Sequence, residues 1–361
     1  MTAFDVAVVG AGAAGAAAAT TLAPSASVVL IDGVEMPGWR IGETLPGAAR
    51  RVLAAIGAWE RFAAAGHGPA PLKVSRWGSD ATIELDAFRD PDGVGWRLDR
   101  GRFEADLRAD AVARGAVLIA PARATQLTRT GETWTLSLDG GTTIAARRIV
   151  DAGGRRSRLL RPFGQRRVTM DRLACAYQTV PQRGDADPST YTQSTPEGWW
   201  YTAALPNGRR IVAFHGDSDQ PAFRRVLHDG PLAAALRVPG LAEAVGTVET
   251  AQASPPAACA ANSAAASAAG PGWLAAGDCA IALDPLSSQG LFNALVTGME
   301  AAEATLALLD GDETAMAAHA ARIGRIWTAY ASHHTTYYGM ERRWPTAPFW
   351  SRRFGRSPAE G

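Results

Sequence analysis

Lysine is almost missing from this chain of 361 residues. Arginine supplies the positive charge, and Lys73 is the only lysine. With 36 basic against 35 acidic side chains, the net charge is +1. No strong field of either sign is therefore available to hold a nucleic acid or a membrane surface. Cysteine is scarce as well. Cys175, Cys259 and Cys279 are spaced too widely for a disulfide framework or a zinc motif, so no metal site is expected and the compartment reads as reducing and cytoplasmic. Apolar runs of membrane-spanning length are absent, and the apolar N-terminus lacks the basic stretch of a signal peptide. Alanine is in excess, a bias that together with arginine reads as coding composition rather than function. At 47% hydrophobic and 20% charged, the chain suits one large or two coupled cores.

The strongest local signal is Val6-Ala7-Val8-Val9 followed by Gly10-Ala11-Gly12-Ala13-Ala14-Gly15. Four apolar residues end in Gly-x-Gly-x-x-Gly, and an alanine-rich run of high helix propensity follows. Gly10 allows the tight turn, Gly12 lets a pyrophosphate approach the backbone, and Gly15 lets helix and strand pack closely. Ala13 and Ala14 open the helix whose N-terminus aims at the phosphates. Val28-Val29-Leu30-Ile31-Asp32 reads as a second parallel strand, with Asp32 about 20 residues on, where a ribose hydroxyl is gripped. The glycine motif alone is weak. Strand, helix, strand and acid in this order point to a dinucleotide site.

Residues 36–47 carry glycine and proline at loop density. There Arg40 can pair with pyrophosphate and Glu43 lies near the ring of the dinucleotide, unless both are charges of a solvated loop. Residues 48–62 read as one helix with Val52, Leu53, Ile56 and Trp59 on one face. Alternating runs over 73–96 read as antiparallel strands of a second layer. Arg100 stands ahead of a helix over 101–114 and is either a cofactor contact or a surface arginine. Strands over 116–119 and 123–127, a hairpin at 139–141 and the turn Asp151-Ala152-Gly153-Gly154-Arg155 follow, with Gly153 a second backbone approach to the cofactor. Residues 166–248 are strand-rich and, by elimination, bind substrate. Within them Trp199, Trp200 and Tyr201 either stack on a flat substrate or belong to the core. Residues 255–272, rich in alanine and serine, read as a return crossing rather than a linker. A strand ending in Gly277-Asp278 comes next. Asp284-Pro285 then leads to Gly290-Leu291, which open a helix reaching residue 309 whose first amides point at a partial negative charge on a cofactor ring.

Taken in order over residues 4–305, these motifs resemble FAD-dependent aromatic monooxygenases and flavin-dependent halogenases. The resemblance implies FAD as cofactor and an α/β fold. A Rossmann-like, glutathione-reductase-type FAD-binding domain is expected over 1–72, 96–165 and 265–310. An antiparallel-sheet substrate domain is expected over 73–95 and 166–264, and a C-terminal helical segment over 311–361. Asp32 is implied at the adenosine ribose, Arg100 near the cofactor and Asp278 at the ribityl-pyrophosphate. Gly277 and Pro285 belong to the same motif, and Gly290 and Leu291 offer amides to the flavin pyrimidine edge. Trp77-Gly78-Ser79, residues 95–100, Gly198-Trp199-Trp200-Tyr201 and residues 284–290 are similar to a narrower halogenase-like group. That group includes the flavoproteins that modify tryptophan residues in quinoprotein amine dehydrogenases and amino-acid oxidases.

The narrower resemblance implies a monooxygenase that hydroxylates an indole, more specifically a tryptophan within a partner polypeptide, through a flavin C4a-hydroperoxide. Glu43 and Asp284 are the candidate acid/base groups, in a pocket that excludes water. No second Gly-x-Gly-x-x-Gly is present. Reducing equivalents then come from transiently bound NAD(P)H or from a separate flavin reductase. Halogenation is the alternative. Halogenases carry Trp-x-Trp-x-Ile-Pro, which Trp199-Trp200-Tyr201-Thr202-Ala203-Ala204-Leu205-Pro206 does not match, and only Lys73 is available as their lysine. Cys279-Ala280-Ile281 stands where many single-component hydroxylases have Ala-Ala-His. A flavin-binding partner of an oxidase without oxygenase turnover is a further alternative, whereas Gly277-Asp278 opposes an NAD-dependent dehydrogenase. Trp327, Tyr330, Tyr337, Tyr338, Trp344, Phe349 and Trp350, interleaved with Arg342, Arg343, Arg352 and Arg353, either recruit a polypeptide or dock on the core.

Overall fold

The computed structural model describes residues 2–87, 90–182 and 187–354. Strand Thr2–Val9 lies parallel to Val28–Ile31 on one side and Thr143–Asp151 on the other. Val117–Ile119 and Trp273–Ala275 extend the same sheet outward. Val6, Val8 and the whole of Val28–Ile31 are buried, because both faces of a parallel sheet are covered and water reaches neither. One cover is the helix Ala13–Leu22, which runs against the helix Gly290–Leu309. Small side chains set how closely they approach: a Cβ at Gly298 would lie 2.2 Å from the carbonyl oxygen of Ala14.

The second layer is a seven-stranded sheet, ordered Ala257–Ala260, Leu173–Pro181, Arg209–Asp217, Gly198–Ala204, Thr190–Thr195, Leu72–Arg76 and Ile83–Asp86. Its pairs are antiparallel except Leu72–Arg76 against Thr190–Thr195. Alternation sorts its side chains. Ala176, Trp200, Val212 and Phe214 face the helices Pro221–Asp229 and Pro231–Ala235. Leu173, Cys175, Trp199, Ile211 and Ala213 face the other way, toward Trp77, Tyr338, Phe349 and Trp350.

The C-terminal helix Thr314–Met340 and the short helix Pro348–Ser351 close that second face. Trp350 donates to the Thr195 carbonyl at 2.8 Å, Trp77 donates to the Tyr337 carbonyl at 2.8 Å, and Arg353 is buried on Asp217 at 2.7 Å. Burying one aromatic side chain of this size contributes about 2–3 kcal/mol. The aromatics after residue 323 are therefore chiefly a packing layer, with Tyr337 alone among them exposed.

One local expectation is corrected, and one is given its detail. Residues 48–62 form two helices, Ala49–Ala55 and Trp59–Ala64, because Gly57 takes φ +69° and ends the first. The alanine–serine stretch is three short strands, Ala257–Ala260, Ala264–Ala266 and Ala269–Gly270, each in a different sheet. It carries the chain from the antiparallel sheet back to the parallel one. Among the described residues no helix is long and apolar enough to cross a membrane.

Candidate active site

A cleft of about 700 Å³ opens where the glycine turn of the parallel sheet meets the antiparallel one. At the end formed by the glycine turn, Gly10 has φ +97°, and a Cβ there would lie 2.4 Å from the Ala152 carbonyl oxygen. A Cβ on Gly15 would strike the Gly10 carbonyl oxygen at 1.7 Å. These two glycines are required by the protein's own backbone. Gly12 differs: a Cβ there meets only the Arg40 guanidinium, at 3.3 Å. Gly12 is also the N-cap of Ala13–Leu22 and makes no side-chain cap bond, so the first amides of that helix face free space in the cleft. Asp32 receives the Ala11 amide at 2.6 Å, the Val34 amide at 2.8 Å and the Arg108 guanidinium at 3.1 Å. An open helix N-terminus beside a fixed carboxylate fits the pyrophosphate and ribose of FAD.

Arg40 and Arg100 line the cleft, and both are held by Glu104. Arg100 also donates to the Ile41 and Gly42 carbonyls, which pins the 38–43 loop. Burial pushes the Arg100 guanidinium down, and Glu104 offsets part of that. Gly153 and Asp278 lie on the opposite wall, where Arg155 donates to Asp278 at 3.1 Å and to the Leu283 carbonyl at 2.8 Å. Pro285, Gly290 and Leu291 complete that wall; the helix they lead into has no side-chain cap either. Gly15 and Gly277 shape the backbone behind the lining and do not themselves face the cleft.

At the other end Glu43 is buried. Its carboxylate accepts from the Tyr201 hydroxyl and from the Gly42 amide at 2.9 Å. Arg97 donates to Tyr201 at 2.8 Å and to Thr44 at 2.6 Å, with its guanidinium 3.9 Å from Glu43. Burial raises the Tyr201 hydroxyl far above its ordinary range, Arg97 opposes and Glu43 reinforces, so Tyr201 is a neutral donor. Trp199 stacks on His215 with ring centres 3.6 Å apart and planes 5° from parallel. Burial drives His215 down to about 3, leaving a neutral imidazole whose Nδ1 has no partner among the described residues.

Two expected residues stand elsewhere. Trp200 points through the sheet to the other face, against Phe214, as strand alternation requires between Trp199 and Tyr201. Asp284 lies behind the cleft wall, accepting from Tyr338 at 2.7 Å and the Leu286 amide at 2.8 Å, 3.4 Å from His334. Burial pushes its carboxyl up, but His334, Leu286 and Tyr338 outweigh this and hold it below the usual carboxylate range. Lys73 is exposed on Leu72–Arg76 and is not part of the lining. The cleft also enlists Trp39, Arg108, Arg155, Cys175, Tyr177, His215 and Cys259. Arg108 was visible as a second arginine two turns beyond Arg100; His215 is found only through its register opposite Trp199.

A parallel sheet with this glycine turn, closed by an antiparallel sheet over one shared cleft, is the architecture of an FAD-dependent oxidoreductase. The chain belongs to the tryptophan halogenase family, whose model matches residues 73–358. Among characterised relatives, it is 27% identical over 362 residues to the putative FAD-dependent oxidoreductase LodB of Marinomonas mediterranea, covering 98% of this chain and 97% of that one. Among solved structures, the myxobacterial chondrochloren halogenase CndH superposes with a TM-score of 0.87 at 21% identity, covering 100% of this chain and 87% of its own. QhpG, a peptidyl tryptophan dihydroxylase essential for tryptophylquinone cofactor biogenesis, gives 0.79 at 24% identity, covering 100% and 80%. Both superpositions speak to the fold.

Proposed function

We propose that this enzyme is an FAD-dependent monooxygenase that hydroxylates an electron-rich ring, the indole of a tryptophan within a partner polypeptide, during formation of a protein-derived quinone. The observation that carries the oxygenase over the halogenase is Lys73. A halogenase of this family needs a lysine between flavin and substrate, and the only lysine of this chain is exposed outside the cleft. Bound in its reduced form, FAD would supply activated oxygen, with electrons from NAD(P)H or from a reductase. The chain's residues do the rest. Gly10, Gly12, Ala13, Ala14 and Asp32 hold the nucleotide; Gly153, Asp278, Pro285, Gly290 and Leu291 line the flavin end. Trp199 and Tyr201 form a flat wall for the ring, and Glu43, already polarised by Tyr201, takes the proton that the ring must lose. Asp284 acts through Tyr338, which receives the Trp199 indole N–H at 3.0 Å, and so positions that wall.

The family match and the resemblance to CndH favour a second reading, halogenation of an aromatic substrate. One experiment separates the two. A tryptophan-bearing polypeptide and free tryptophan are each incubated with enzyme, reduced FAD, oxygen and bromide, then weighed intact. A gain of one or two oxygens on the polypeptide supports the reading. Bromine on either substrate, or efficient oxygenation of free tryptophan, overturns it.

A further inference from the structure

We propose that Cys175 and Cys259 form a redox-active dithiol on the wall of the cleft, which closes to a disulfide when hydrogen peroxide reaches it. The two are far apart in sequence but directly opposite in register on neighbouring antiparallel strands. In the same ladder the Ala261 amide donates to the Leu173 carbonyl at 3.0 Å. Ladder bonding recurs every second residue, so Cys175 and Cys259 are also a hydrogen-bonded pair, with Cα atoms about 5.5 Å apart. Disulfides span Cα separations of about 4.4–6.8 Å. Directly opposite side chains share a face of the sheet, and here both thiols line the cleft.

Their surroundings divide the labour. Cys175 beside it lowers the Cys259 thiol against the opposing push of burial, and Arg155 and Arg156 add to the lowering. Burial raises Cys175, which is enclosed, whereas Cys259 is part-exposed. Cys259, the more accessible of the two, is thus the attacking thiol and Cys175 the resolving one. Cys279 is buried beside Asp151 and Gln165, away from both, with its thiol pushed up.

The Cys259 sulfur attacks one oxygen of peroxide, the O–O bond breaks, and hydroxide leaves to take a proton from solvent, giving a sulfenic acid. The Cys175 sulfur then attacks the Cys259 sulfur, the S–O bond breaks, and water leaves with the Cys175 proton. Two thiols are oxidised and one peroxide becomes two waters. Peroxide is what a flavin oxygenase releases when its activated oxygen misses the substrate, so the pair sits where uncoupled turnover is felt. That source rests on the proposed function; the chemistry of the pair does not.

The test adds hydrogen peroxide directly to the full-length protein, then counts thiols after denaturation and weighs the intact chain. The expected count falls from three to one, the mass drops by two hydrogens, dithiothreitol reverses both, and peptide mapping joins 175 to 259. Cys279→Ser should fall from two to none. Cys175→Ser should instead stop at a sulfenic acid on Cys259, trapped by dimedone. Three thiols remaining after peroxide in the wild-type protein, or a bridge that includes Cys279, overturns the inference whatever the enzyme's reaction. Bridge formation in a protein that proves to be no oxygenase leaves the dithiol standing and removes only its proposed source of peroxide.

Discussion

The two ends of the cleft are built from different material. The nucleotide end is backbone: glycines at 10, 12 and 15, two helix N-termini without side-chain caps, and a carboxylate tied to an amide. The other end is side chain: Glu43 under Tyr201, Trp199 against His215, and two opposed cysteines, set by strand register rather than by neighbours in sequence. A backbone site tolerates no added atom and, Asp32 apart, leans little on particular side chains. A side-chain site can lose one group and keep its shape. Cofactor binding and ring chemistry should therefore be separable by mutation.

The largest effect is expected at Gly12. A Cβ there meets only the movable tip of Arg40, so the chain should still fold, while valine's branched side chain fills the room a pyrophosphate needs. Gly12→Val should purify colourless with an unchanged circular-dichroism spectrum. A folded, fully yellow Gly12→Val protein would sink the assignment. Gly15→Val is the control, since its Cβ strikes the Gly10 carbonyl and it should fail to fold.

Next is Glu43→Gln, which keeps the shape and one of the two acceptor oxygens but cannot take a proton. FAD content should stay at the wild-type level while single-turnover product formation falls about 100-fold or more, the scale of a lost general base. Undiminished product would remove Glu43 from the chemistry. Loss of FAD would instead place it in the nucleotide half and blur the division between the two ends.

The same division explains what could be read from the sequence. Gly10 to Gly15, Asp32, Gly153, Asp278 and Gly290 lie on the cleft or directly behind it because backbone sites are written in consecutive residues. The helix over 290–309 was legible for the same reason. Trp200 was not separable from Trp199 and Tyr201 until the strand Gly198–Ala204 gave them faces. Asp284, read as facing the flavin from its place in a motif, turns instead to His334 and Tyr338 on a helix that begins thirty residues later. Cys175 and Cys259 carried no signal in their spacing, because only the ladder brings them opposite each other.

A smaller, pH-dependent effect belongs to the side-chain half. Glu341 is buried where the tail docks, and accepts from Ser194 at 2.7 Å, Arg343 at 2.6 Å and the Gly78 amide at 3.1 Å. Burial pushes its carboxyl up, yet these partners hold it at about 2, below the ordinary 4.5. A depressed carboxyl contributes stability that is complete above about 4.5 and is lost as pH falls toward about 2. Tryptophan fluorescence, reporting the contact of Trp77 with Trp350 of the docked tail, should change across that interval. Glu341→Gln should flatten this acid limb and lower stability at neutral pH. An unaltered acid limb would show that other carboxylates govern it.

The smallest effect, none, is expected at Lys73, and it tests the division most sharply. Lys73 lies on the antiparallel sheet, the half to which the proposed chemistry is assigned, yet its side chain is exposed outside the cleft. If the chemistry resides only in groups that line the cleft, Lys73→Ala should keep FAD content, product yield and the ratio of product to peroxide. Bromide in the assay should give no brominated product with either protein. A brominated product made by the wild type and abolished in Lys73→Ala would mean that Leu72–Arg76 moves its lysine into the cleft during turnover. Halogenation would then replace hydroxylation as the reaction.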